Sequence, residues 1–270
     1  MFENVATDEY LFDDYVGDGR ISLDSSYQIS EDDIHLLEFQ SEGKQIYGVY
    51  TGDITKINED TIIVYCHGNT GNIDHYWPRH KLLANVGNKN RYGILTIDYK
   101  GYGMSEGYPT EGGLVKDVDA GLEWLKSEGL TNDRLIIYGF SLGSYPATYL
   151  CSKKSGALVP SKLILEAPFA STKVMVNDAA KVSMNNNYFT STDFEVADLI
   201  KDVTVPFLLL HGEKDDFLSI KTHGEIVYKN YGGNESNKTF IKVPTADHGD
   251  LPAEQGYEEY KNSLLEFVEK

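Results

Sequence analysis

Gly139-Phe140-Ser141-Leu142-Gly143 follows the apolar run RLIIY and precedes a stretch that can be helical. A serine in that setting is placed for nucleophilic attack. A sharp strand-to-helix turn lifts the hydroxyl clear of the backbone, and side chains at the two flanking positions would clash, hence the glycines. The helix that follows points its N-terminal amides at the reacting oxygen and favours negative charge there. Pro146 falls in its first turns, where a missing N–H does least harm.

A serine hydroxyl is a weak nucleophile until a base and an orienting acid support it. For a serine in this kind of turn they follow in the order acid, then histidine. His248, in Ala246-Asp247-His248-Gly249-Asp250, is the candidate base. Asp215, closing His211-Gly212-Glu213-Lys214-Asp215, is the candidate acid, with Asp216 its immediate rival. Asp247 and Asp250 stand too near the histidine in sequence to be preferred and are expected to face solvent.

An acyl-transfer site also needs two N–H donors for the developing oxyanion. The amide of Leu142 is one candidate. The second is sought in His67-Gly68-Asn69-Thr70-Gly71-Asn72, with Asn69 preferred and Thr70 as rival. His67 is read as a loop tether and Ser105 as structural. His35, His75, His80 and His223 show no metal-ligand spacing, and no dinucleotide fingerprint opens a βαβ unit, so neither a metal nor another cofactor is expected.

These loops need a scaffold that brings them to one edge. Short β-rich runs at 34–39, 45–51, 61–67, 92–98, 134–140, 162–168, 205–212 and 238–244 alternate with helical spacing at 74–86, 114–126, 142–152, 220–231 and 255–269. The pattern predicts an α/β protein: a mostly parallel eight-stranded sheet with helices on both faces, one domain over 1–270, and an antiparallel pair at its edge. Residues 169–201 exceed a simple crossover. They are read as a small cap held by Met175, Val176, Val182, Met184, Tyr188 and Phe189, the other reading being a crossover helix with a loop. Thr70, Phe169, Met175, Met184, Tyr188 and Phe189 are the candidate substrate contacts.

Forty-two acidic against 24 basic side chains give a formal net charge of -18. A field of that sign repels phosphate backbones and anionic membrane surfaces, so no nucleic-acid partner is expected. Cys66 and Cys151 are too few for a disulfide framework and read as small buried hydrophobes. The acidic start MFENVATDEY has no secretory pattern and no window reaches membrane-spanning length. A cytoplasmic protein without stable membrane insertion is the expectation, and the tripeptides at Asn234 and Asn237 then carry no glycan.

Taken together, HGNTGN (67–72), DYKGYGMSEG (98–107), GFSLGS (139–144), LEAPF (165–169), HGEKD (211–215) and DHGD (247–250) resemble the α/β-hydrolase superfamily. The nearest likeness is to the BEM46-like proteins and the ABHD12, ABHD13 and ABHD17 groups of lipid and thioester hydrolases. The resemblance implies a Ser141–Asp215–His248 triad with an oxyanion hole from Asn69 and Leu142. Relatives often carry arginine where this chain has Lys100. The expected activity is hydrolysis of carboxylic esters of short or medium acyl length, such as a monoacylglycerol or lysophospholipid. An acyl-protein or acyl-CoA thioesterase, a serine peptidase, and a non-catalytic binding protein on the same scaffold are the alternatives.

Overall fold

A computed structural model describes residues 2–15, 19–180 and 194–270. Its strands are β1 (Glu3–Asn4), β2 (Ile34–Ser41), β3 (Lys44–Thr51), β4 (Ile62–Cys66), β5 (Thr70–Gly71), β6 (Gly93–Asp98), β7 (Leu135–Phe140), β8 (Lys162–Glu166), β9 (Phe207–Gly212) and β10 (Lys238–Val243). Eight of them form one sheet in the order β10-β9-β8-β7-β4-β6-β3-β2. From β10 to β6 every pairing is parallel, while β3 runs antiparallel to both β6 and β2. The β2–β3 hairpin turns at Glu42 and Gly43, both at positive φ (50° and 72°), as a tight two-residue hairpin loop requires.

Both faces of the sheet are covered, which explains why its central strands are apolar throughout. Side chains alternate between faces, so Ile62, Val64 and Cys66 of β4 enter one core while Ile63 and Tyr65 enter the other. Helices α2 (Glu111–Ser127) and α3 (Ser144–Lys153) cover the first face; α1 (Ile73–Ala84) and α8 (Tyr257–Val268) cover the second. Cys66 and Cys151 are buried free thiols, and burial pushes both well up from the usual thiol range.

Residues 169–201 contain α4 (Thr172–Ala180) and the short α5 (Val196–Leu199). Val182, Met184, Tyr188 and Phe189 lie outside the described residues. Two further helices, α6 (Gly224–Asn230) and α7 (Leu251–Gln255), complete the set among the described residues.

Lys100 is buried and its ammonium donates to Asp117 on α2, to Ser41 Oγ at 2.9 Å and to Glu42 Oε2 at 3.1 Å. It ties the hairpin to α2.

The N-terminal residues, for which the sequence offers no periodicity, are bound along the sheet's carboxyl edge. β1 pairs in parallel with β5, the short strand inside the HGNTGN loop. Further on, the Asp74 carboxylate accepts from the amides of Leu11 (3.0 Å) and Phe12 (2.8 Å), and Tyr10 donates to Asp98 at 2.6 Å. We call this segment the strap.

Candidate active site

Three loops leaving the carboxyl ends of β7, β9 and β10 meet at one point, beside the loop after β4. The strand order reverses at β4, flanked by β6 and β7, which is where open α/β sheets form their ligand crevice. Ser141 sits at φ 50°, a left-handed conformation that costs energy for a residue with a Cβ. Two glycines make that turn possible. A Cβ on Gly139 would stand 2.5 Å from the Gly143 carbonyl oxygen, and one on Gly143 would collide with the Cys66 carbonyl.

The three polar side chains form a continuous hydrogen-bonded chain. His248 Nδ1 lies 2.8 Å from Asp215 Oδ2, and Nε2 lies 2.9 Å from Ser141 Oγ. With Nδ1 donating to the carboxylate, the Nε2 lone pair faces the serine hydroxyl. This is the tautomer a general base needs.

Asp215 is buried and held from several directions. Its Oδ1 accepts from the amides of Phe217 (3.1 Å) and Leu218 (2.7 Å). His211 Nε2, 2.8 Å from the Leu218 carbonyl, also lies 3.2 Å from Oδ2. Burial works against the charged carboxylate, but hydrogen bonds from His211, His248 and the Leu218 amide outweigh it and hold the group well below the usual carboxylate range. Asp216 is exposed and its amide lies 3.4 Å from Asp247 Oδ1; neither carboxylate joins the chain. Asp247 faces solvent, whereas Asp250 is half-buried and accepts from the Asp247 amide at 2.7 Å.

Asn69 and Leu142 flank Ser141. The Asn69 side chain is fixed as an acceptor, taking the Tyr102 hydroxyl at 3.0 Å and the Glu3 amide at 3.4 Å. The loop is pinned behind it: His67 Nδ1 donates to the Gly68 carbonyl at 2.8 Å, and Nε2 lies 3.1 Å from Asp98. Asn72 caps α1, its Oδ1 accepting from the Asp74 amide at 3.1 Å. Thr70 is exposed and donates to Glu3 at 2.7 Å. Ser105 bridges Asp98 O (2.7 Å) and Tyr47 N (2.9 Å), as a structural residue would.

Of the expected substrate contacts, Phe169 and Met175 border a small pocket beside Ser141, and Thr70 borders a larger cleft. Met184, Tyr188 and Phe189 lie outside the described residues. Phe217, 55% exposed, borders both spaces with its ring 5.0 Å from that of His248. Sequence reading missed it, although it stands two residues past the candidate acid. It also missed Glu3, Arg20 and Arg79, which belong to segments with no visible chemistry.

A profile of the alpha/beta hydrolase fold family matches residues 61–208, more than half of the chain. The chain belongs to the α/β-hydrolase fold family. Protein bem46 of Schizosaccharomyces pombe is 30% identical over 198 residues, which span 72% of this chain and 64% of that protein. The lysophosphatidylserine lipase ABHD12 of Mus musculus is 30% identical over 235 residues, covering 77% of this chain but 56% of the lipase. Among solved structures, the esterase Pf2001 of Pyrococcus furiosus superposes with a TM-score of 0.71 at 18% identity, over 100% of this chain and 98% of that one. That is a likeness of fold. Membership of the α/β-hydrolase family supports a hydrolytic function, and no helix among the described residues is long and apolar enough to cross a membrane.

Proposed function

We propose that this chain is a serine hydrolase that cleaves carboxylic esters through an acyl-enzyme on Ser141. The observation that carries the reading is the unbroken Ser141–His248–Asp215 hydrogen-bond chain at the carboxyl edge of the sheet. His248 Nε2 takes the hydroxyl proton as Ser141 Oγ bonds to the ester carbonyl carbon. The resulting oxyanion lies against the amides of Leu142 and Asn69. Its collapse breaks the bond to the leaving oxygen, which receives the proton from Nε2. Water then gives a proton to the same nitrogen and attacks the acyl carbon. Ser141 departs with that proton and the acid is released. Asp215 holds the ring and stabilises the imidazolium.

The preferred substrates have short or medium acyl chains. Monoacylglycerols of such chain length fall within this class; the mouse relative is a lipase of a lysophospholipid, lysophosphatidylserine. The test is hydrolysis of p-nitrophenyl esters by the parent and by Ser141→Ala, alongside labelling with a fluorophosphonate. Turnover and labelling lost together in the variant support the mechanism. Equal rates in both proteins, or neither turnover nor labelling in a folded parent, would sink it.

A further inference from the structure

Ser141 stands where two unequal spaces meet. On one side is a pocket of about 130 Å³ walled by Leu142, Phe169, Met175, Phe194 and Leu218. On the other is a cleft of about 650 Å³, in the size range of small-molecule sites, whose walls include the carboxylates of Glu3, Asp216 and Asp247, the Arg20 guanidinium and the rings of Tyr76 and Phe140. Glu3, Asn69, Ser141 and Phe217 border both spaces, so they form the divide between them.

Building on the hydrolase reading above, we propose that the small pocket takes the acyl group and the cleft takes the alcohol. The substrate class is then a short-chain acyl ester of a neutral, polyhydroxylated alcohol of saccharide size. His248 fixes the direction. Its Nε2 supplies the proton to the leaving oxygen, and His248 borders the cleft but not the small pocket. The leaving group therefore departs through the cleft, and the small pocket is left, among the described residues, for the acyl chain.

Size limits that chain. A cavity of about 150 Å³ holds a benzene-sized ligand, so a slightly smaller one takes about four to six carbons. Each buried methylene contributes about 0.8 kcal/mol until the walls are reached, after which further carbons must displace packed side chains. A long acyl chain of the kind found in membrane lysolipids has no place in it.

The cleft's chemistry selects the alcohol. Its walls carry both signs of charge: carboxylates accept hydrogen bonds from hydroxyls and a guanidinium donates them, while the exposed Phe217 ring at the divide offers apolar surface to C–H groups. A ligand with many neutral hydroxyls satisfies all three. An alcohol or thiol bearing phosphates, such as coenzyme A, meets three carboxylates against Arg20 and an Arg79 already paired to Glu166, in a chain whose net charge is -18.

The experiment measures kcat/KM for p-nitrophenyl acetate through laurate, and for glucose 6-butyrate, ethyl butyrate and butyryl-coenzyme A. The expected profile peaks at about four to six carbons, drops at least about tenfold by ten carbons, and favours the glucose ester at least about tenfold over both other butyrates. Met175→Trp moves the optimum toward acetate. An optimum at ten carbons or beyond, an unmoved optimum in that variant, or butyryl-coenzyme A equal to glucose butyrate overturns the proposal. Fluorophosphonate labelling separates the two levels. A labelled Ser141 with a flat profile discards this assignment and leaves the hydrolase reading standing, whereas no labelling and no turnover discard both.

Discussion

Arg79 Nη2 donates to the Gly249 carbonyl at 2.9 Å, one residue beyond His248. Its other terminal nitrogen is ion-paired to Glu166, and both side chains are buried. Tyr138 donates to the same carboxylate, as does Tyr260 at 3.0 Å. The guanidinium also lies 4.1 Å from the centroid of the Phe140 ring, which sits 5.4 Å from the His248 ring. A charge on α1 and one at the end of β8 thus fix the loop that carries the candidate base from beneath.

Breaking such a pair leaves one buried charge alone. Arg79→Ala and Glu166→Gln are each expected to lower stability by about 3–5 kcal/mol, read from urea unfolding. Arg79→Lys keeps the charge but loses the planar two-armed geometry. Its expected signature is a fall in kcat with KM nearly unchanged. A variant that loses stability but keeps the parent kcat at a temperature where it is folded would show that Arg79 does not position His248.

Gly143 packs its Cα against the Cys66 carbonyl, where a methyl group has no room. Gly143→Ala must push β4 and the serine turn apart. The expected cost is about 1–3 kcal/mol from overpacking, with a disproportionate loss of kcat because the Leu142 amide moves with the turn. Gly112→Ala is the control: a Cβ there meets nothing within 4 Å, and the helix should gain slightly. Equal behaviour of the two variants would contradict the close-approach argument.

The scaffold was legible because local signals agreed with one another. Apolar runs such as IIVYC (62–66) and FLLLHG (207–212) are buried on both faces, and each strand expected from the sequence is present. The elbow glycines carry a steric reason that any reader of the motif can state, and Ser141, Asp215 and His248 stand where strand ends bring them. The strap was not legible. Phe2, Tyr10 and Phe12 have no period, and their partners Phe194, Asp98 and Trp77 lie far along the chain. Arg79 was hidden for a related reason: a helical arginine reads as a solvated charge until the fold places Glu166 beneath it.

The strap's attachment is itself testable. Asp74 accepts the amides of Leu11 and Phe12, Asp13 pairs with Lys81, and the Phe12 ring packs 4.8 Å from Trp77. Asp74→Ala strands two backbone donors and should cost about 2 kcal/mol. It should also raise KM more than it lowers kcat, because Glu3 and Arg20 border the cleft without joining the serine–histidine chain. Hydrogen exchange should show the amides of residues 3–12 opening faster than the sheet. Unchanged exchange in the variant would mean the strap is held by something other than that carboxylate.

Acidification should weaken the fold before any carboxylate in the serine network is protonated. Burial pushes His80 down to about 3, and burial, against the raising influence of Asp178, takes His223 down to about 4. His80 is held neutral between Thr51 (2.9 Å) and Thr96 (2.7 Å). In the unfolded chain each ring takes a proton near pH ~6.5, whereas the folded protein resists until its lower value. The unfolded state therefore binds more protons across that interval, and stability declines as pH falls from about 6.5 toward 4, by up to about 1.4 kcal/mol per unit for each histidine. Asp215 adds its own loss only below the ordinary carboxylate range, since its folded value is depressed. His80→Gln keeps a neutral hydrogen-bonding group and should flatten the slope of unfolding free energy between pH 6.5 and 5 by about half. A variant slope equal to the parent's would remove His80 from the account and assign the acid sensitivity elsewhere.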